Sequence, residues 1–68
     1  MKPQWTGQAI AKMHVNEITM EDVAHEMGVG KPYISMILNG LRNPPNAKDR
    51  INGAISAILC KREENNED

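Results

Sequence analysis

A chain of 68 residues, 40% hydrophobic and 25% charged, can build one domain around one small core, which excludes a second domain and a wholly disordered chain alike. Its formal charge of −1 hides an asymmetry, because four of the nine acids fall in the last six residues, EENNED. Residues 1–62 therefore hold eight Lys or Arg against five acids, and so mildly basic a body does not exclude a polyanionic partner.

The lone Cys60 excludes an internal disulfide and points to a reducing, cytoplasmic setting. No segment approaches the roughly 20 apolar residues of a membrane span, and MKPQWTGQAIAKMHV lacks the apolar run of a signal peptide. No membrane partner is expected.

In chain order, Ala9, Ile10 and Met13 predict a first helix over about residues 7–14, entered through Trp5 and Thr6, with Trp5 as a lid on the open end of the core. A second helix starts after Thr19, a good N-cap that Asp22 can answer three residues on as a capping box. Ile18 and Val23 supply the matching hydrophobic staple. A third helix, about residues 31–39, repeats apolar residues at Ile34, Ile37, Leu38 and Leu41, with Gly40 placed to end it in the left-handed conformation. RNPPN then enforces an extended connection, since each Pro disfavours the α conformation in the residue before it. Asn46 is the expected cap of a fourth helix, with Asp49 three residues later and a stripe of Ile51, Ala54, Ile55, Ile58 and Leu59. No alternating strand pattern competes. The expected fold class is all-α, a compact four- to five-helix domain over residues 1–62, followed by an acidic, flexible tail at 63–68.

The most informative stretch is DVAHEMGVGKPYISMILNG, residues 22–40. One helix must stop at Met27 and the next restart within three residues at a steep angle, which calls for a left-handed residue at Gly28. Val29 fills the corner, Gly30 is an acceptable N-cap, and Pro32 falls in a first turn, where its missing N–H removes no needed bond. Ala24 is small where two crossing helices must approach closely. The arrangement predicted is a helix-turn-helix.

Residues 20–39 resemble the twenty-residue helix-turn-helix of the phage repressor and Cro family, the lambda-repressor-like or XRE-type DNA-binding domains. Ala24 and Gly28 meet the family's small residue and glycine, Val23, Met27, Val29, Ile34 and Ile37 its apolar positions, and the ILNG ending is similar to how family recognition helices close. Three departures accompany the likeness. Met20 stands where the family often has a phosphate-binding Gln, Gly30 where Ser or Thr is common, and Pro32 removes a hydrogen-bonding side chain from the reading face. The free backbone N–H groups at the start of the second helix are then the expected phosphate anchor there, and DNA shape is expected to carry part of the readout.

What the resemblance implies is a recognition helix in the major groove, its N-terminal residues toward base edges. With one face of the third helix buried, the opposite face presents Lys31, Pro32, Ser35 and Met36 to bases, and Tyr33, Asn39 and Arg42 suit phosphates. Lys31 suits the acceptor edge of guanine, Ser35 either kind of partner, and Pro32 and Met36 a thymine methyl.

The function expected is a sequence-specific regulator that binds double-stranded DNA as a homodimer on a two-fold operator. Ile51, Ile55, Ile58 and Leu59 are the candidate dimer interface, against the alternative that all four are core. A second class is a protein-interaction adaptor or antirepressor that keeps the fold without binding DNA, which the near-neutral total charge and acidic tail favour. His14, His25 and Cys60 lack zinc-ligand spacing, and no nucleophile with a neighbouring base or cofactor fingerprint occurs. No metal, cofactor, small-molecule ligand or enzymatic activity is expected.

Overall fold

Four helices follow one another through residues 4–65, which the computed structural model describes: α1 (Gln4–Val15), α2 (Met20–Met27), α3 (Lys31–Leu38) and α4 (Ala47–Asn65). Among the described residues there is no strand, and the fold is the all-α one expected. α1 starts earlier than its apolar spacing indicates, so Trp5 and Thr6 lie inside its first turn rather than leading into it. Thr6, Ala9 and Met13 are its buried face, and Trp5 is half-buried against the core as a lid. Ile10, expected to point inward, is 37% exposed, because it sits one helical step beyond the face that Ala9 and Met13 define.

The core is a single cluster. Val23, Ile34, Leu38, Ile51 and Ile55 are completely buried, and Ala9, Met13, Ile18, Ala24, Ile37, Ala47 and Ala54 close around them. α2 packs on both α3 and α4, and α1 packs on α3 and α4 as well. Leu41 is a correction to the expected core face: it is 75% exposed. Its helical spacing from Ile34 means nothing once α3 has ended at Leu38 and the chain has turned through Gly40.

Three helix ends are closed in the same way. After α2, Gly28 takes φ 71°, its N–H donates to the His25 carbonyl at 3.2 Å, and the Val29 N–H donates to that of Ala24 at 2.9 Å. After α3, Gly40 takes φ 77°, with Gly40 N–H on the Ile37 carbonyl at 3.1 Å and Leu41 N–H on that of Met36 at 2.8 Å. These are the paired bonds of the Schellman motif, which satisfy carbonyls that a helix end otherwise leaves orphaned. The end of α1 repeats them, Glu17 N–H on His14 at 3.2 Å and Ile18 N–H on Met13 at 2.8 Å, with Glu17 itself left-handed at φ 56°. A side chain there carries a steric penalty that glycine does not. Glu17→Gly is therefore expected to raise stability by about 0.5–1 kcal/mol, the penalty less the larger unfolded-state entropy of glycine. The midpoint of urea unfolding checks it, and a lower midpoint would show that the Glu17 side chain stabilises the fold.

The start of α2 is as expected. The Thr19 N–H donates to the Asp22 carboxylate at 2.9 Å and the Asp22 N–H to the Thr19 hydroxyl at 3.1 Å, a complete capping box. Donation by the Thr19 backbone N–H, then the Thr19 side chain, holds the Asp22 carboxyl below its ordinary pKa, with Arg62 and His25 adding to the effect and burial opposing it. A depressed carboxyl contributes stability that is complete above its unfolded pKa, about 3.9, and is lost as pH falls through the folded one. Below about pH 4 the urea midpoint is expected to drop further in the wild type than in Asp22→Asn; parallel curves would leave the box without this role.

α4 begins directly after Asn46, as expected, but departs from expectation in its cap and its end. Asn46 is left-handed, φ 62°, with no side-chain cap on α4; its carbonyl accepts the first helical bond from Arg50 N–H at 2.9 Å. The helix continues to Asn65, past the boundary expected at residue 62, while residues 66–68 of the expected tail lie outside the described residues. This length lets α4 reach back to the α1–α2 turn. The half-buried Arg62 donates through Nη1 to the Asn16 carbonyl and through Nη2 to that of Glu17 at 3.1 Å, and Lys61 pairs with Glu26 at 2.7 Å.

Candidate nucleic-acid interface

Burial of Ile34, Ile37 and Leu38 fixes the rotation of α3 and leaves Lys31, Pro32, Ser35 and Met36 turned from the core. Lys31 and Pro32 are exposed, whereas Ser35 and Met36 are half-buried. Met36 is absent from the apolar residues that pack against the core, unlike Met20 and Met27 on α2, so its side chain is available to a partner. The first turn of α3 contains no acid, and Gly30 caps it with its backbone alone, at φ −85° and ψ 153°. The positive end of the helix and Lys31 therefore act in the same direction on an anion.

Lys31 is not tied down. Its ammonium lies 3.9 Å from the Glu21 carboxylate, with side-chain exposures of 57% and 76%, and so open a pair has little energetic weight. Arg42 sits in the turn beyond Gly40, where its guanidinium carbon lies 5.4 Å from the centre of the Tyr33 ring. That stacking positions the guanidinium while leaving its fork of donors for a phosphate. Tyr33 is half-buried and packs on the core edge.

Two expectations for the phosphate contacts change. Asn39 Nδ2 donates to the Ser35 carbonyl at 2.8 Å and to the Ser35 hydroxyl at 3.2 Å, which turns the amide nitrogen onto Ser35 and away from a phosphate. The α2 N-terminus is also a poor anion anchor. Glu21 and Asp22 occupy its first turn and the Asp22 N–H is already taken by Thr19, so the helix dipole is answered from within the chain.

Ile51 and Ile55 are 0% exposed and belong wholly to the monomer core, which corrects their place in a dimer interface. Ile58 and Leu59 are half-buried and pack on the core's margin. A solvent-open groove of about 340 Å³ runs between α2 and α4, lined by Glu26, Met27, Arg50, Gly53, Ala54 and Ala57, and no residue of α3 lines it. No cluster of potential metal ligands occurs among the described residues, and no described helix is long and apolar enough to cross a membrane.

The four-residue spacing that joins Ser35 to Asn39 and the proximity of Tyr33 to Arg42 around Gly40 are local signals that the sequence carries. The Arg62 clamp has no such signal, because 46 and 45 residues separate it from its partners.

Two helices, a left-handed corner at Gly28 and an exposed face on the second helix define a helix-turn-helix. Residues 16–48, which contain α2, the corner, α3 and the connection to α4, match the family model described as helix-turn-helix, of XRE type. Domains of that family are DNA-binding and regulatory, and not typically enzymatic. No curated protein and no solved structure matches the chain.

Proposed function

We propose that this protein is a sequence-specific, double-stranded DNA-binding transcriptional regulator of phage or prophage repressor/Cro type, cytoplasmic and nucleoid-associated when bound, which lays α3 in the major groove. The observation that carries the reading is the face of α3: its core side is fixed by Ile34, Ile37 and Leu38 while Lys31, Pro32 and Met36 stay free of the core. Lys31 opens the helix, where an ammonium meets the acceptor edge of guanine, and Met36 and Pro32 offer apolar contact to a thymine methyl. Arg42, stacked on Tyr33, takes a backbone phosphate.

The protein acts as a homodimer, because one recognition helix reads only a few base pairs and a two-fold pair reads half-sites one helical turn apart. With Ile51 and Ile55 inside the core, Ile58 and Leu59 are what the expected α4 surface retains for a second copy.

Selection from a random-duplex pool at several salt concentrations tests the reading, with Lys31→Ala and Arg42→Ala alongside. Expected are a steep fall of affinity with salt, enrichment of a two-fold symmetric site, loss of base preference at one position for Lys31→Ala, and uniformly weaker binding for Arg42→Ala. Negligible binding at low salt would retire the proposal and turn attention to a protein partner for the same face.

A further inference from the structure

The Ser35–Asn39 contact does more than withdraw Asn39 from the phosphates. The Ser35 carbonyl can only accept, so the Asn39 atom 2.8 Å from it is the amide nitrogen, and the orientation of that side chain is set by chemistry. The same nitrogen also donates to the Ser35 hydroxyl at 3.2 Å. The amide nitrogen is thereby held on Ser35, and the Asn39 carbonyl oxygen is left as an acceptor. Ser35 receives a bond and, among the described residues, gives its own hydroxyl proton to no acceptor. A hydroxyl that alone would suit either kind of partner is thereby biased to donate.

We propose that Ser35 and Asn39 form one reading unit, a donor beside an acceptor, that selects adenine at one position of each half-site; this rests on the DNA-binding reading above. Adenine presents the N7 acceptor next to the N6 amino donor in the major groove, the complement of that pair. Guanine presents two acceptors, cytosine only a donor, and thymine an acceptor beside a methyl group. Asn39 is exposed and Ser35 half-buried, so the unit is open on its outer side. Lys31, Ser35 and Asn39 stand four residues apart in succession and lie along one line of the helix surface. Lys31 meets one base near the start of α3, and the pair meets another further along. Ser35 is the contacting residue, and Asn39 both contacts and positions it.

The test is a base-by-base affinity profile of the selected operator for the wild-type chain, Ser35→Ala, Asn39→Ala and the double variant, with circular dichroism to confirm equal helicity. Replacing adenine at the read position is expected to weaken wild-type binding about tenfold, in the range of a single mismatched pair. Either single variant is expected to abolish that preference at the same position and no other, and the double variant to lose nothing more, the non-additivity of two residues acting as one unit. If the wild type selects an operator while both variants weaken every sequence alike, or affect different positions, the reading unit is refuted and the regulator stands. If the wild type binds no duplex at low salt, the regulator reading falls and the reading unit with it.

Discussion

Ile34→Ala is expected to destabilise the fold by about 3 kcal/mol and to lower the melting temperature by more than about 12 °C, the size of a buried Ile truncation in so small a domain. Ile34 is 0% exposed and sits on the inner face of α3, which packs against α2 and α1. Truncation removes the transfer free energy of three carbons and leaves a cavity whose walls, chiefly the packed helices themselves, relax only in part. The same residue sets the rotation of the helix that carries Lys31 and Met36, so stability and operator affinity are expected to fall together. Thermal unfolding by circular dichroism checks the first effect, and operator binding well below the variant's melting temperature checks the second. Full operator affinity in a variant destabilised this far would show that α3 is positioned by its caps and not by this core contact.

The parts of the fold that were legible are those whose punctuation is local. Thr19 and Asp22, Gly28, Pro32 and Gly40 each act within four residues, through a side chain or a backbone conformation that no common alternative supplies. The helix-turn-helix and the outward face of α3 are therefore legible in the sequence pattern itself. Leu41 misleads for the complementary reason: its spacing continues an apolar stripe across Gly40, where the helix that gives the stripe meaning has ended. Glu17 and Asn46 adopt left-handed conformations without being glycine, so neither signals its turn in the way Gly28 does. Ile51 and Ile55 read correctly as an apolar stripe, but a stripe does not say whether the surface that covers it belongs to the same chain. The Arg62 clamp depends on α4 running back to the α1–α2 turn, a relation between distant segments that no local window contains.

At the candidate interface the largest effect is expected from Lys31→Glu, a loss of operator affinity of about 10-fold per protomer and about 100-fold for a dimer that engages two half-sites. The charge change is two units at the first residue of α3, and the new carboxylate would stand beside Glu21, which now lies 3.9 Å from the ammonium. Two acids would then face the polyanion from the end of the helix meant to approach it, with no counter-charge in the first turn. The fold itself should be nearly indifferent. The Lys31–Glu21 pair is exposed on both sides and weak for that reason, and an acid in a first helical turn is favourable to the helix dipole. Binding and stability are thus expected to separate, in contrast to Ile34→Ala, where they move together. Glu21→Gln is the opposite perturbation, since it removes the acid that competes with DNA for Lys31, and should bind somewhat tighter at low salt with the difference fading as salt rises. Operator titrations of the two variants at low and physiological salt, paired with urea unfolding, give the result: equal affinities for Lys31→Glu and wild type would mean that α3 does not meet DNA by its N-terminal turn.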